Sequence, residues 1–301
     1  MTTATDRHER TPMQRQSNLA GPWHWAALIA GNVALALGPW SVRLADSGPV
    51  AAGFWRLALA LPLIWLIAWR AGEPVFGVPR RVALLVALGA LAFAFDLASW
   101  HVGIELTRLG NATLFGNAGS IVLLFWALAV ARTMPARAEW GAIVLALAGS
   151  AILLGRSAEI SATTLAGDLF CITAGLLYAV YLLCLQDARK ALGSWGLLAR
   201  VCMVAAPFLL LVALAKGEPV WPQDWTPLIV LALLSQVVGQ GLLVFALRAF
   251  PPMIIGLALL TQPALAAFYG WLIFGEALGA LDLLGMAMIA GALVVARARS
   301  G

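Results

Sequence analysis

The chain has 301 residues, of which 62% are hydrophobic and only 11% are charged, and its mean hydropathy is +0.91. A soluble domain carries about 25% charged residues, so this composition excludes an ordinary soluble domain and predicts that most of the chain faces lipid. The net charge of +5 comes from basic residues scattered along turns, a pattern that reflects membrane topology and gives no indication of a nucleic-acid partner.

Residues 1–20 are polar and lack the apolar stretch of a signal peptide. We predict that they form a short disordered cytoplasmic tail. Farther along, the three cysteines lie within apolar stretches and have no metal-binding or redox spacing. We therefore predict no metal site and no cofactor.

Ten apolar segments follow, each long enough to cross a bilayer, which takes about 20 helical residues. The predicted fold is an all-α integral membrane protein embedded in the lipid bilayer. The segments, numbered spans 1 to 10, are expected at roughly 25–44, 50–70, 81–103, 109–131, 136–155, 165–187, 194–215, 225–247, 251–274 and 279–297.

The distribution of Lys and Arg predicts how these spans are oriented. With the N-terminus in the cytoplasm, 13 basic residues fall on the cytoplasmic side. Four fall on the opposite side, namely Arg43, Arg108, Arg156 and Lys216. Because cytoplasmic loops carry the excess of basic residues, both termini are predicted to be cytoplasmic.

The second half of the chain repeats the first. Arg56 stands near the start of an apolar stretch that ends in the turn Gly-Glu-Pro at residues 72–74. Arg200, 144 residues later, stands near the start of another, which ends in Gly-Glu-Pro at residues 217–219. A repeat of such a long period indicates that the fold is built from two related units.

We assign residues 21–155 to a first five-helix repeat and residues 156–301 to a second. Because five is an odd number, the second repeat begins on the opposite side of the membrane. The two repeats are therefore inverted, which is typical of transporters that work by alternating access around a site near the midplane.

Polar side chains deep in a bilayer are costly unless they are partnered or hydrated, so they indicate which spans surround a pathway. Spans 1, 3, 4, 6, 8 and 9 carry nearly all of them, and spans 2, 5, 7 and 10 are expected to brace the bundle. The candidate substrate-binding residues are Asn32, Trp40, Asp96, Trp100, Asn117, Tyr178, Tyr181, Gln236, Gln240 and Gln262. For the amides, hydrogen bonding between helices is an equally good interpretation, and for the aromatic residues so is helix packing.

Asp96 is the only acidic residue near the middle of a predicted span, and we assign it a functional role. Arg56 and Arg200 are expected to extend to the membrane interface, which leaves no mid-span cation to neutralise Asp96. His101 is expected near the interface and Asp168 at a hydrated span end.

The repeat also relates polar positions to one another. An offset of 144 residues maps Asp96 onto Gln240, and Asn117 onto Thr261 beside Gln262. Gln236 and Gln240 are four residues apart and share one helix face. Matched polar positions in both repeats predict a site on the pseudo-two-fold axis.

Four prolines lie inside predicted spans. Each removes a backbone donor and kinks its helix, so we predict that they act as hinges. They are Pro39, Pro62, Pro207 and Pro263.

The last two spans carry the most specific pattern in the chain. It consists of Gln262-Pro263, then Gly270-Trp271-Leu272-Ile273-Phe274-Gly275-Glu276, then Gly285 and Gly291. This pattern, with ten spans over about residues 25–297, resembles the drug/metabolite transporter superfamily in its ten-helix EamA-type branch.

The first repeat departs from this pattern, because Gly119 and Arg132 stand where the second repeat has Pro263 and Glu276. Within the superfamily, the aromatic residues and mid-span amides look most like those of bacterial exporters of amino acids, aromatic ones included. The resemblance implies a transporter of the bacterial inner membrane.

We predict a transporter, not an enzyme, that exports small metabolites, with amino acids as the expected class and aromatic ones among them. Amides donate and accept hydrogen bonds to a zwitterion without a fixed charge, and Asp96 can hold the ammonium group or carry a proton. The expected partners are a small-molecule substrate and lipid, and the expected assembly is a monomer.

Three alternatives remain. A multidrug exporter of organic cations would need a buried carboxylate and an aromatic cage, which Asp96 and Trp100 could supply. A passive channel is the second. An intramembrane enzyme is the most remote, because the chain has no Gly-x-Ser-x-Gly element, no metal-binding His pair and no two mid-span acids.

Overall fold

The computed structural model describes residues 21–107, 109–131, 137–155, 164–274 and 277–300, and every regular element among them is a helix. The predicted tail and Glu276 lie outside the described residues. The helices are Pro22–Leu35 and Gly38–Leu44 in span 1, Pro49–Arg70 in span 2, Arg80–Leu106 in span 3, Leu109–Gly116 and Ala118–Ala131 in span 4, Arg137–Gly155 in span 5, Leu165–Ala188 in span 6, Ser194–Ala215 in span 7, Thr226–Val230, Leu231–Gln240 and Gly241–Ala246 in span 8, Pro252–Leu259 and Gln262–Phe274 in span 9, and Ala280–Ser300 in span 10.

All ten predicted spans are helices, and their ends lie within about three residues of the predicted positions. Eight are long and apolar enough to cross a membrane. Spans 5 and 10 contribute the shorter apolar stretches Trp140–Leu153 and Ala280–Val295. The prediction of an all-α membrane protein with ten transmembrane helices is therefore confirmed.

Local sequence explains where several helices begin and end. Spans 1, 2, 8 and 9 have proline in the first turn, where its missing N–H has no helical partner to lose. Spans 2 and 7 end in turns where Gly72 and Gly217 both have a φ of 67°, a left-handed conformation that glycine adopts without strain.

The helices pack in a two-fold pattern. Span 2 packs against span 7, span 4 against span 9, and span 5 against span 10. Span 3 packs against span 6, and span 8 packs against span 1. Exchanging the two repeats maps every one of these pairs onto itself or onto another pair, as two inverted five-helix repeats require.

Interruptions in the helices follow the same symmetry in one place and break it in another. Span 4 is interrupted at Asn117 and span 9 at Leu260 and Thr261, positions that the repeat relates. Span 1 is interrupted before Gly38, whereas span 6 is continuous. Span 8 contains a π-helical segment over Leu231–Gln240, and span 3 is regular α-helix throughout.

Small residues allow the tightest helix contacts. A side chain on Gly119 would collide with the backbone of Gly175, which brings spans 4 and 6 together. In spans 5 and 10, a Cβ on Gly285 would lie 2.9 Å from the Gly149 carbonyl oxygen. Such close backbone approach is how membrane helices gain packing energy without a hydrophobic driving force between them.

Candidate substrate site

Seven spans surround a central cavity of about 80 Å³. Spans 3, 4 and 6 supply most of the wall, and spans 1, 2, 8 and 9 complete it. The lining residues are Leu35, Pro39, Arg56, Phe93, Asp96, Leu97, Trp100, Ala112, Thr113, Gly116, Asn117, Ala174, Gly175, Tyr178, Ser235, Gln240 and Gln262.

Six of the ten predicted substrate-binding residues line this cavity, namely Asp96, Trp100, Asn117, Tyr178, Gln240 and Gln262. Tyr181 and Gln236 lie outside the lining, where they contact residues that do line it. Asn32 lies in a separate side cavity with Thr261 and Phe268, and Trp40 is outside the lining of either cavity. The structure thus gathers residues from both repeats around one space, although it separates two predicted residues from it.

Gln240 connects two of the predicted aromatic residues. Its Nε2 donates to the Tyr178 hydroxyl at 3.1 Å, and its Oε1 accepts from the Tyr181 hydroxyl at 3.3 Å. The Tyr181 ring stacks on Phe93 with a centroid distance of 4.4 Å. Phe93 therefore lines the cavity in the place expected for Tyr181, and Tyr181 packs against the side of the Phe93 ring that faces away from the cavity.

The position of Arg56 contradicts the sequence-based expectation. Its side chain does not extend to the interface; it is only 3% exposed and lines the cavity. Its Nε donates to Gln236 Oε1 at 3.0 Å, and its Cζ lies 5.9 Å from the centre of the Phe93 ring. Arg56 is a mid-span cation in the same cavity as Asp96, so the expectation that none is available was wrong.

Arg200, the counterpart of Arg56 in the second repeat, has a different environment. Its Nη2 lies 3.5 Å from the backbone oxygen of Phe76, in the segment between spans 2 and 3. It is absent from the cavity lining. This contact directs Arg200 towards the segment that follows span 2, but the side chain is buried, so its extension to the interface stays a prediction. The two related arginines differ in position.

Several cavity groups have unused hydrogen-bonding capacity. Among the described residues, none hydrogen-bonds to the Asp96 carboxylate, the Gln262 amide or the Trp100 indole N–H. Arg56 forms no ion pair with a described residue. Since buried polar groups are normally partnered, these groups are available to a ligand or to water.

Asn117 uses its polar atoms within its own span. Its Nδ2 donates to the Thr113 carbonyl oxygen at 2.7 Å, and its Oδ1 lies 3.5 Å from Ser120 Oγ. These bonds stabilise the interruption of span 4. Asn117 therefore lines the cavity but has less free hydrogen-bonding capacity than Gln262, its neighbour across the repeat.

Two further residues are more buried than expected. Asp168 is not hydrated; it is 3% exposed and accepts hydrogen bonds from Thr107 at 2.6 Å, Asn111 at 3.0 Å and Thr164 at 3.2 Å. His101 is also fully buried, with Nδ1 2.8 Å from the Pro49 carbonyl oxygen. The hydrogen bonds of Asp168 link spans 3, 4 and 6, and the contact of His101 links spans 2 and 3.

The four predicted hinge prolines fall into two groups. Pro39 and Pro263 lie in the first turn after an interruption of span 1 and of span 9. Pro62 and Pro207 lie inside continuous helices and are exposed. Whether any of them acts as a hinge stays a prediction, and the first two are now the stronger candidates.

The sequence analysis did not identify Arg56 as a cavity residue, although its distance from the end of span 2 could have indicated it. Arg56 is seven residues from the first residue of span 2 at Pro49, which is about 10 Å along a helix axis. A side chain that starts so deep on a helix beside polar spans can reach the interior as readily as the interface. Phe93 and Thr113 were missed as well, because nothing distinguishes them from packing residues in sequence.

A metal ion has no evident site in the described part of the chain, where no three His, Cys, Asp or Glu side chains come together. The prediction that no cofactor is used stays a prediction.

Comparison with protein families gives one match that covers most of the chain. The model of the EamA-like transporter family matches twice, over residues 16–155 and residues 165–297. Each match covers one five-span half, in agreement with the internal repeat.

Individual relatives include bacterial exporters. The chain is 30% identical over 250 residues to the threonine/homoserine exporter RhtA of Escherichia coli strain K12, and 29% identical to RhtA of Salmonella typhimurium strain LT2, with 80% of each chain covered in both cases. It is 26% identical over 257 residues to the uncharacterized transporter YwfM of Bacillus subtilis, covering 83% of this chain and 85% of the relative.

A solved structure shares the fold. A crystal structure of another protein superposes with a TM-score of 0.75 at 16% identity, covering 94% of this chain and 96% of the other. At that identity the likeness concerns the fold alone.

Proposed function

The chain belongs to the EamA-like transporter family, and we propose that it exports amino acids in their zwitterionic form by alternating access between its two inverted repeats. Membership makes it a membrane transporter of small molecules. Its relatives of known activity are named for the export of threonine and homoserine, which supports amino acids as the substrate class.

One observation about the cavity carries the proposal. It presents free groups of both polarities, because the Asp96 carboxylate and the Arg56 guanidinium line the same space without an ion pair between them. An amino acid has an ammonium and a carboxylate group a few ångströms apart. Asp96 suits the former, and the amide of Gln262 can donate to or accept from either.

The aromatic part of the wall supports a range of side chains. Phe93, Trp100 and Tyr178 line the cavity together, and such rings favour aromatic or aliphatic groups. We therefore extend the proposal to aromatic amino acids as well as small hydroxylated ones.

Alternating access follows from the arrangement of the repeats. Asp96, Tyr178 and Gln262 each lie near the middle of their spans, so the cavity is close to the midplane. Rocking one repeat against the other would open this site to each side in turn. The interruptions of spans 4 and 9 are related by the repeat and are natural places for bending.

We place the transporter in the bacterial inner membrane as a monomer, with both termini in the cytoplasm. The excess of Lys and Arg on one side supports this orientation. Fusion of a reporter to the C-terminus tests it: an enzyme that works only in the cytoplasm should be active there, and activity of a periplasm-specific enzyme would contradict the topology.

Export of organic cations is the second candidate, favoured by Asp96 beside Trp100 in the cavity. Arg56 opposes it, because a fixed positive charge in the same cavity repels a cation that lacks a compensating carboxylate.

Flux into proteoliposomes separates these functions. Purified protein is reconstituted and offered labelled threonine, phenylalanine or tetraphenylphosphonium, with and without a proton gradient. We expect saturable flux of the two amino acids and none of the cation. Flux of the cation alone, dependent on the proton gradient, would replace the proposal with the multidrug alternative, and unsaturable flux of all three would indicate a channel.

A further inference from the structure

The cavity contains one cation that the family match and the named relatives do not assign to any role. We infer that Arg56 binds the carboxylate group of the transported amino acid and that Gln236 positions its guanidinium. This inference rests on the proposed function, because it names the group that recognises that class of substrate.

Burial makes a structural role for Arg56 a poor explanation. A charge inside a membrane protein is expensive and is normally paired. Arg56 is 3% exposed, yet its hydrogen bond within the described residues is the one from Nε to the Gln236 oxygen, a neutral group. Asp96 lines the same cavity but forms no ion pair with the guanidinium, so a bound anion in the cavity could pair with Arg56 directly.

The geometry of the guanidinium leaves a binding edge free. Nε is occupied by Gln236, so the two terminal amino groups are left for a ligand. The two terminal nitrogens form no hydrogen bond with a described residue, and they are not fully enclosed by protein atoms. Because Arg56 lines the cavity, we infer that these nitrogens face it. Two parallel N–H donors match the two oxygens of a carboxylate.

Contacts around Arg56 fix its orientation. Gln236 is fully buried, and its Nε2 lies 3.6 Å from Cys202 Sγ in span 7. This contact orients the amide so that its oxygen points to Arg56. On the other side, the Phe93 ring lies 5.9 Å from Arg56 Cζ, within the range of a cation–π interaction.

Together, Arg56 and Asp96 give the cavity two poles. A ligand with both a carboxylate and an ammonium group satisfies both, whereas an amine or an acid alone leaves one pole unpaired. An unpaired buried charge is strongly unfavourable. The pair would therefore select α-amino acids over amines that have the same side chain.

The first test uses the unmodified protein and ligands that differ only at the carboxylate. Threonine, threonine amide and 1-amino-2-propanol compete for labelled threonine flux in proteoliposomes. We expect the two analogues without a carboxylate to inhibit roughly 10- to 100-fold more weakly than threonine, because they lose the hydrogen bonds to the charged Arg56. Equal inhibition by threonine and its amide would overturn the role of Arg56.

The second test changes the arginine and its repeat counterpart. Arg56→Gln should raise the KM for threonine by roughly 10- to 100-fold, and Arg56→Lys, which keeps the charge but loses the fork, should raise it less. Arg200→Gln is the matched control, because Arg200 does not line the cavity, and it should leave KM near that of the unmodified protein. Gln236→Met should raise KM without changing the amount of folded protein.

The outcomes distinguish the inference from the proposed function. Absence of amino-acid flux in the unmodified protein would overturn the proposed function. Normal flux in that protein, with an unchanged KM in folded Arg56→Gln, would overturn the inference about Arg56 and leave amino-acid export standing.

Discussion

The two Gly-Glu-Pro turns and the central cavity respond differently to the same internal repeat. After span 2, the Glu73 Oε2 accepts hydrogen bonds from the backbone N–H groups of Trp195 and Gly196 at 2.7 and 2.8 Å. After span 7, the Glu218 Oε2 accepts from those of Val50 and Ala51 at 2.9 and 3.0 Å. Each repeat therefore caps the first turn of a helix in the other.

In the cavity, the repeat supplies unlike residues. Arg56 lines it and Arg200 does not. The position of Asp96 corresponds to Gln240, so one repeat supplies a carboxylate to the cavity where the other supplies an amide. A symmetric site would suit a symmetric ligand, whereas an amino acid has two different poles.

This contrast separates two requirements. The turns join spans 2 and 7 at both ends, and a scaffold that must look alike from both sides of the membrane keeps matching contacts there. Under the proposed function, the cavity binds one asymmetric molecule, so its related positions differ. Pairs of residues related by the repeat can therefore serve as test and control for each other.

Besides the Arg56 variants, the largest effect is expected from Gln240→Leu. Leucine removes both hydrogen bonds and leaves the hydroxyls of Tyr178 and Tyr181 without their partner, each at a cost of about 1–3 kcal/mol. We expect flux per folded protein to fall at least about tenfold. Asp96→Asn, at the related position, keeps hydrogen-bonding groups and should reduce flux no more than Gln240→Leu does.

Proteoliposome flux of the two variants, corrected for folded protein by size-exclusion chromatography, checks this ranking. Full loss with Asp96→Asn and near-normal flux with Gln240→Leu would contradict this ranking and show that transport depends on the Asp96 charge, either to bind the ammonium group or to drive a pump.

The next largest effect concerns the turns. Glu73→Ala and Glu218→Ala each remove two hydrogen bonds from a carboxylate to a helix N-terminus, and each should lower the free energy of unfolding by about 2 kcal/mol. The two turns lie at opposite ends of helices about 33 Å long, so the double variant should be additive.

Unfolding in mixed detergent micelles measures this. A clear difference between the two single variants would show that the turns are not equivalent. Among the described residues, only the second of the two turns has an ion pair, between Lys216 and Glu218 at 2.8 Å, because Ala71 occupies the position of the lysine in the first turn. Lys216→Ala would test whether this ion pair causes the difference.

An effect of similar size is expected from glycines in spans 5 and 10. A Cβ on Gly285 would lie 2.8 Å from a Leu153 side-chain carbon and 2.9 Å from the Gly149 oxygen, so Gly285→Ala should destabilise the protein by about 1–3 kcal/mol. Gly141, its counterpart 144 residues earlier, has nothing within 4 Å of such a Cβ. Gly141→Ala should be neutral in thermal unfolding, and equal losses in both variants would argue against close packing of spans 5 and 10.

The smallest effect on stability is expected from the paired prolines. Pro62 and Pro207 are exposed inside continuous helices, and replacement by alanine restores a backbone donor, so Tm should not fall. If they are hinges, Pro62→Ala and Pro207→Ala should nevertheless slow flux. Unchanged flux in both would remove them as hinges and leave Pro39 and Pro263.

Much of this architecture was determined by the sequence itself. Ten apolar stretches, the excess of basic residues on one side and the Gly-Glu-Pro repeat predict ten spans in two inverted halves, because a lipid-facing helix needs a minimum length and an apolar composition wherever it packs. Mid-span polar residues also predict most of the polar groups that line the cavity. Asp96, Gln240 and Gln262 were identifiable for that reason.

Tertiary packing decided which side chains meet. The depth and rotation of each helix relative to its neighbours determine whether an arginine such as Arg56 reaches the interface or the cavity, and one sequence contains no record of that rotation. The same reason separated Asn32 from the site and buried Asp168 among three donors. Glu73 and Glu218 were visible as a repeat, but the N–H groups that they bind lie more than 100 residues away in the chain, and only the packing of span 2 against span 7 brings them together.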